Sequence, residues 1–406
     1  MVHNFIHRLL LRRHFWRHAT FSEIGELYAS RMLRMVAFNL AASFMSIFLY
    51  QTGYSVMFIV FFWAGYFTLR AIMVLPAVKI AARIGAKHGI FVSNLLFIPS
   101  MVAFSMLPTY GMWVLPIVAL FQASSTSLYA LCHAIDFSKI KSVDHAGKEL
   151  AYMNIIEKLA TGLSPLVGGV LAYFIGPQIV IVLAAVVFAL AALPLFKTGE
   201  PVPPGQKINL VGFPWRLATR NIGSQIGFGI DVFASGSLWS LFIAITVLGV
   251  SSTSNGVYAA NGILLSVVLF AAIAASYVYG KLIDNKKGLD LLRFGVIADA
   301  IVHLTRPFIT HPVSAGAVNI ANEAATTGYG MAYTRGVYDA ADFSGQRIVL
   351  IGFMEIAASI GAAIGAAVTG LLVMQFGDVD GMRGFFIFAG VAVLLILTSR
   401  FPLYQK

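Results

Sequence analysis

Five of the 17 acidic residues in this 406-residue chain interrupt long apolar runs: Glu157, Asp231, Asp299, Glu323 and Glu355. A carboxylate in such surroundings takes up a proton or meets a cation, so each is a candidate for proton exchange, ligand pairing or gating. Asp231 and Glu323 each sit about ten residues into their runs, or about 15 Å of helical rise. That is the middle of a hydrocarbon layer about 30 Å thick. The two are first candidates for proton coupling or for pairing with a cationic substrate in one shared cavity. Asn39 and Gln122 are neutral polar candidates to line the same space. Glu157 and Glu355 lie nearer the run ends, about seven residues in. Arg70 has a depth similar to Glu355, so an Arg70–Glu355 gating ion pair is expected, with Arg335 as a further brace. Asp299 and His303 are one helical turn apart, just before Arg306, and are expected to pair with each other.

The elements that hold these groups follow from composition. Hydrophobic residues make up 59% and charged residues 11%, and the mean hydropathy is +0.83. A soluble domain of ordinary composition is about 25% charged, so a soluble enzyme and a disordered chain are both excluded. Twelve stretches are long and apolar enough to span a bilayer. They run near 33–52, 56–78, 89–107, 112–133, 150–174, 177–196, 222–249, 256–280, 289–308, 313–334, 347–375 and 384–402. They are apolar on all sides and lack the alternation of barrel strands, so the fold class is an all-α integral membrane protein.

Placing the N-terminus inside puts 25 of the 28 basic residues on the cytoplasmic side, leaving only Arg306 and Arg383 outside and Arg70 within a span. The net charge of +11 is therefore read as orientation and not as a nucleic-acid footprint. Both termini are expected in the cytoplasm of a multi-pass protein of a prokaryotic inner membrane. Residues 1–32 read as a basic amphipathic segment on anionic lipid. Cys132 is the single cysteine, which excludes an intrachain disulfide. The His residues at 3, 7, 14 and 18 read as part of a solvated basic face, and no metal or cofactor is expected. No phosphate-binding Gly-x-x-x-x-Gly-Lys-Ser/Thr and no His-Glu-x-x-His pattern is present, so no enzyme is expected.

A Pro-rich polar stretch at 197–220 divides the chain into two halves of six spans, 33–196 and 221–406. The halves are weakly alike: with an offset of 198, Glu157 falls on Glu355 and Ala160 on Ala358. Gly280-Lys281-Leu282-Ile283-Asp284 and the degraded Arg83-Ile84-Gly85-Ala86-Lys87 occupy matching loops, with Ala82 where an Asp belongs. Ser164-Pro165-Leu166-Val167-Gly168-Gly169 lies in span five. In these features the chain resembles the major facilitator superfamily, and the span-five run is similar to a motif of its drug–proton antiporters. The resemblance implies two pseudo-symmetric six-helix bundles, alternating access, a usually monomeric state, and spans 1, 4, 7 and 10 around the cavity. It also places span 11 beside span 2 and span 5 beside span 8. Glu157 is then expected to engage Lys281 or the Asp284 turn. The function expected is proton-linked export of a small amphipathic or cationic compound, among membrane lipids. Import of a small metabolite and lipid or lysolipid flipping are the alternatives; an intramembrane enzyme or a receptor is more remote.

Overall fold

The computed structural model describes residues 21–41, 45–142, 144–175, 177–208, 210–249 and 256–404. The expected amphipathic stretch at 1–20 lies outside them. Long helices follow one another with short connections. In the N-terminal half these are α1 (Phe21–Ala41, followed by Met45–Gln51), α2 (Val56–Ile84), α3 (Ala86–Ser105), α4 (Leu115–Ile140), α5 (Ala146–Ile175) and α6 (Pro177–Leu190). In the C-terminal half they are α7 (Ile222–Phe233, carried on through Trp239–Phe242), α8 (Gly256–Asp284), α9 (Gly288–Thr305), α10 (Pro312–Phe343), α11 (Arg347–Phe376) and α12 (Asp378–Ala392). No strand occurs among the described residues. Among the described residues, eight helices are long and apolar enough to cross a membrane by length and composition alone; α5, α8, α9 and α10 are packed among them.

One boundary differs from expectation. α1 starts at Phe21, well before residue 33. Hydropathy ends the span where Glu23, Glu26, Arg31 and Arg34 begin, because it reads charge as water. The helix instead continues with Ile24, Leu27 and Tyr28 buried, and its charged side chains find partners inside the protein. Arg31 and Arg34 thereby move from the expected cytoplasmic surface into the bundle. Lys87, also expected on that surface, is 3% exposed. Its ammonium reaches Glu26 at 3.4 Å and Thr198 Oγ1 at 2.6 Å, tying α1, α3 and the linker together.

The halves meet chiefly through α2 against α11 and α5 against α8. Glycines set how closely these helices approach. A Cβ on Gly147 of α5 would lie 2.5 Å from the Gly280 carbonyl of α8, so only bare backbone fits there. Gly168, from the span-five run, packs on the backbone of Leu40 in α1. That small-residue run therefore does a packing job. At the end of the bundle away from the linker, the join between halves is apolar: Ile47 and Ala244 are buried together, and Phe67 meets Phe233 edge-on at 6.3 Å.

Candidate functional site

Three ion pairs run through the bundle interior. Arg70 of α2 meets Glu355 of α11 at 2.8 Å. Lys158 of α5 meets Glu323 of α10 at 2.8 Å. Arg31 of α1 meets Glu157 of α5 at 2.8 Å. All six side chains stay between 11% and 28% exposed, so they border open space and are not sealed in the core. Thr327 Oγ1 adds a 2.8 Å hydrogen bond to Glu323. Ser127 donates to the Arg70 carbonyl at 2.9 Å, and Tyr66 and Thr126 share a hydroxyl contact at 2.9 Å. Arg34 is more deeply placed. It hydrogen-bonds Asn94, reaches Ser125 Oγ at 3.3 Å, and stacks on Tyr129 with its guanidinium carbon 3.7 Å from the ring centroid.

The arrangement has a polarity. In the two of these three pairs that join the halves, the cation comes from the N-terminal half and the carboxylate from the C-terminal half. Arg31 and Glu157 cancel within the N-terminal half. Separation of the halves therefore exposes two cations, Arg70 and Lys158, opposite two carboxylates, Glu355 and Glu323.

The expected residues divide as follows. Arg70 and Glu355 are brought together. Glu157 bonds Arg31 and not Lys281, whose ammonium lies 4.1 Å over the Tyr277 ring. Asp231 and Glu323 do not meet the same partners. Asp231 turns into the C-terminal half, where His303 Nε2 stands 2.9 Å from its Oδ1 and the Tyr329 hydroxyl bonds its Oδ2. Counting residues sets height but not azimuth, and each helical step turns the side chain by about 100°. Asn39 donates to the Met35 carbonyl of its own helix at 2.8 Å. Gln122 is buried in α4. Arg335 pairs with Asp339 at 2.7 Å, one turn along α10. Asp299 Oδ2 lies 3.5 Å from His303 Nε2, but the closer partner of that nitrogen is Asp231, at 2.9 Å, so the expected exclusive pairing of Asp299 with His303 is not what forms.

Arg31, Arg34 and Lys158 are the functional candidates that loop-charge counting misplaced. A signal was present for each: Arg34 lies inside the first apolar run, 33–52. Ile24, Leu27, Tyr28 and Arg31 keep helical spacing ahead of residue 33, and Lys158 lies several residues inside the fifth apolar run.

At the linker side, Asp284 accepts the amides of Gly147 (2.8 Å) and Lys148 (3.2 Å), the second and third residues of α5. It thus caps a helix of the opposite half. Burial pushes its carboxyl up from the ordinary range, against the pull of the two amides. Nearby, burial also pushes Glu149 up to about 7, although it accepts the Ser142 amide at 2.7 Å. The α2–α11 join lacks the matching cap. Ala82, where the loop motif would place an Asp, borders a cavity of about 350 Å³ together with Ile348 and Val349, the second and third residues of α11. Closure there falls to Lys141, 3.2 Å from Asp339 and 2.5 Å from Asp342, while Arg347 holds Asp342 from within the same half.

Ala82→Asp should restore the cap and tighten this closure by about 1 kcal/mol. We expect a roughly fivefold slower maleimide labelling of Phe137→Cys, which faces Tyr338 across the halves, in a Cys132→Ser background. An unchanged rate would show that α11 gains nothing from a carboxylate at position 82.

The family model described as Major Facilitator Superfamily matches residues 27–347. The chain belongs to the major facilitator superfamily. It is a secondary transporter of that family, a multi-pass membrane protein and not an enzyme. Solved structures agree with the fold. The human organic anion transporter MFSD10 (TETRAN) matches with TM-score 0.68 and 12% identity, over 95% of this chain and 99% of that one. The E. coli fucose:proton symporter FucP matches with TM-score 0.65 and 15% identity, over 93% and 98%. A POT family transporter in complex with a thioalcohol-conjugated peptide matches with TM-score 0.67 and 12% identity, over 92% and 94%. Identities this low carry the fold alone. No curated protein sequence matches the chain.

Proposed function

We propose that this superfamily member moves a small zwitterionic organic solute by alternating access between its two halves. The observation that supports the reading is the polarity of the Arg70–Glu355 and Lys158–Glu323 pairs. A solute carrying both an anionic and a cationic group replaces each lost partner when the halves part. The carboxylate goes to the N-terminal face and the ammonium to the C-terminal face. A cargo of single sign leaves one face uncompensated in a low-dielectric space. The expectation of an amphipathic or cationic compound rested on two mid-span acids facing the cavity and on finding no mid-span cation other than Arg70. Arg31, Arg34 and Lys158 remove the second ground. The linker side is taken as cytoplasmic, since its loops remain strongly basic without those three residues.

In this scheme the pairs at the linker side hold the carrier shut toward the cytoplasm. They break as one half rocks against the other, and the solute's own charges offset their loss. Binding to the purified protein tests the cargo class through thermal shift with amino acids or short peptides, matched monocarboxylates and matched amines. Zwitterions should raise the melting temperature most, and Glu355→Gln should reduce that shift. Stabilisation by amines alone would overturn the proposal.

A further inference from the structure

We infer that Asp299 is a proton-carrying site inside the C-terminal half, separate from the ion pairs that join the halves. The inference rests on the transport reading only for its purpose, and its geometry stands alone. Asp299 and His303 of α9, and Arg306 just beyond it, are all at 0% exposure. The groups facing them are Asp231 and Ser235 of α7, Asn322 and Tyr329 of α10, Trp239, and Phe386 of α12. The titratable or charged members of this cluster are Asp231, Asp299, His303, Arg306 and Tyr329.

Arg306 determines the state of His303. Its Nη1 is 2.8 Å from His303 Nδ1, and a guanidinium only donates. Nδ1 is therefore the acceptor, and the one ring proton of a neutral imidazole sits on Nε2. That N–H points at Asp231 Oδ1, 2.9 Å away. Asp231 also accepts Ser235 at 2.7 Å and the Tyr329 hydroxyl. Three donors converge on Asp231, as an ionised carboxylate requires. Its charge matches the single cation, Arg306.

Asp299 is left over. Neither of its oxygens has a hydrogen-bond partner among the described residues, and His303 Nε2, 3.5 Å from its Oδ2, is already committed to Asp231. A second carboxylate charge here would outnumber the single cation, Arg306, and no hydrogen bond reaches it among the described residues. Protonation removes the charge, so the site holds one proton.

A metal ion is the rival occupant, because Asp231, Asp299 and His303 present ligand atoms within 4.8 Å of one another. Coordination through Nε2 moves the ring proton to Nδ1, directly against the Arg306 N–H. It also sets a cation beside that guanidinium. The cluster is built for a proton.

Release of the proton from the Asp299 carboxyl to solvent, once the bundle opens, creates a carboxylate that competes with Asp231 for the His303 N–H. The bond tying α9 to α7 is then shared. It attaches next to the π-helical turn Ala234–Leu238, where α7 has a break in its regular ladder. Proton loss is thereby converted into a looser α7.

Infrared spectroscopy of the purified full-length protein resolves the C=O stretch of a protonated buried carboxyl. The wild type should show such a band, Asp299→Asn should lose it, and Glu323→Gln should keep it. In vesicles loaded with a pH-sensitive dye, Asp299→Asn should cut solute-driven proton flux at least tenfold. Survival of the whole band in Asp299→Asn overturns the inference. So does a zinc- or manganese-induced thermal shift that His303→Ala abolishes. If Asp299→Asn fails to fold, the wild type decides: absence of any such band from mildly acidic to mildly alkaline pH overturns it. The infrared result needs no solute, so it stands or falls separately from the cargo class.

Discussion

Lys158→Ala should lower solute transport about tenfold or more. The substitution leaves the partly buried Glu323 carboxylate without its cation, with Thr327 as its remaining hydrogen-bond donor among the described residues. Stripping one partner from a fully buried pair costs about 3–5 kcal/mol. Here the side chains are 28% and 11% exposed, and water screens part of the loss, so about 1–2 kcal/mol is the better expectation. Each 1.4 kcal/mol is about tenfold in an equilibrium or a rate. The charge swap Lys158→Glu with Glu323→Lys separates closure from cargo binding. It rebuilds the pair, so labelling of Phe137→Cys should return to about the wild-type rate. It also reverses the polarity between the halves, so transport of a zwitterion should stay low. Full recovery of transport by the swap would mean that the pair only latches the carrier, and that Lys158 and Glu323 do not receive the cargo.

Gly229→Val should prevent folding. A Cβ at Gly229 of α7 would stand 1.9 Å from the Ala358 carbonyl oxygen of α11. On the other side of the same crossing, a Cβ at Gly361 would stand 2.2 Å from the Ile226 carbonyl. Both obstacles are backbone, so no side-chain rotation relieves them. Ordinary overpacking costs about 1–3 kcal/mol because neighbours give way. Here two helices would have to separate along their contact, and about 4 kcal/mol or more is expected. The fraction of a fluorescent-protein fusion recovered as a single symmetric peak in detergent measures it. Gly330→Ala is the matched control. It sits mid-helix in α10, and a methyl group there would have nothing within 4 Å among the described residues. This variant should match or exceed wild-type stability by up to about 1 kcal/mol. A folded Gly229→Val would show that α7 and α11 are less closely packed than this crossing requires.

Much of the architecture was legible from residue order. A membrane segment must satisfy its own backbone hydrogen bonds, so length and apolarity alone pick out the spans. The Pro-rich stretch after the sixth span divides the halves, and equal depth brings Arg70 to Glu355 because a helix converts residue count into height, counted from whichever side each one enters. Charge was harder to read. Arg31, Arg34 and Lys158 count with the cytoplasmic charges because they lie at or near the cytoplasmic ends of their runs. They are interior because Glu157, Asn94, Ser125 and Glu323 come from other helices to meet them.

The sequence by itself determined the class: a helical membrane protein of two related halves, with too few acids to waste and several of them inside spans. Only the tertiary structure decided which way each acid faces. Asp231 and Glu323 have nearly the same depth, yet one turns toward His303 and Tyr329 and the other toward Lys158. The reason is geometric. Height along a helix accumulates from local bond geometry and can be counted, whereas azimuth is set by which neighbouring helix offers a partner, a choice made at long range by packing.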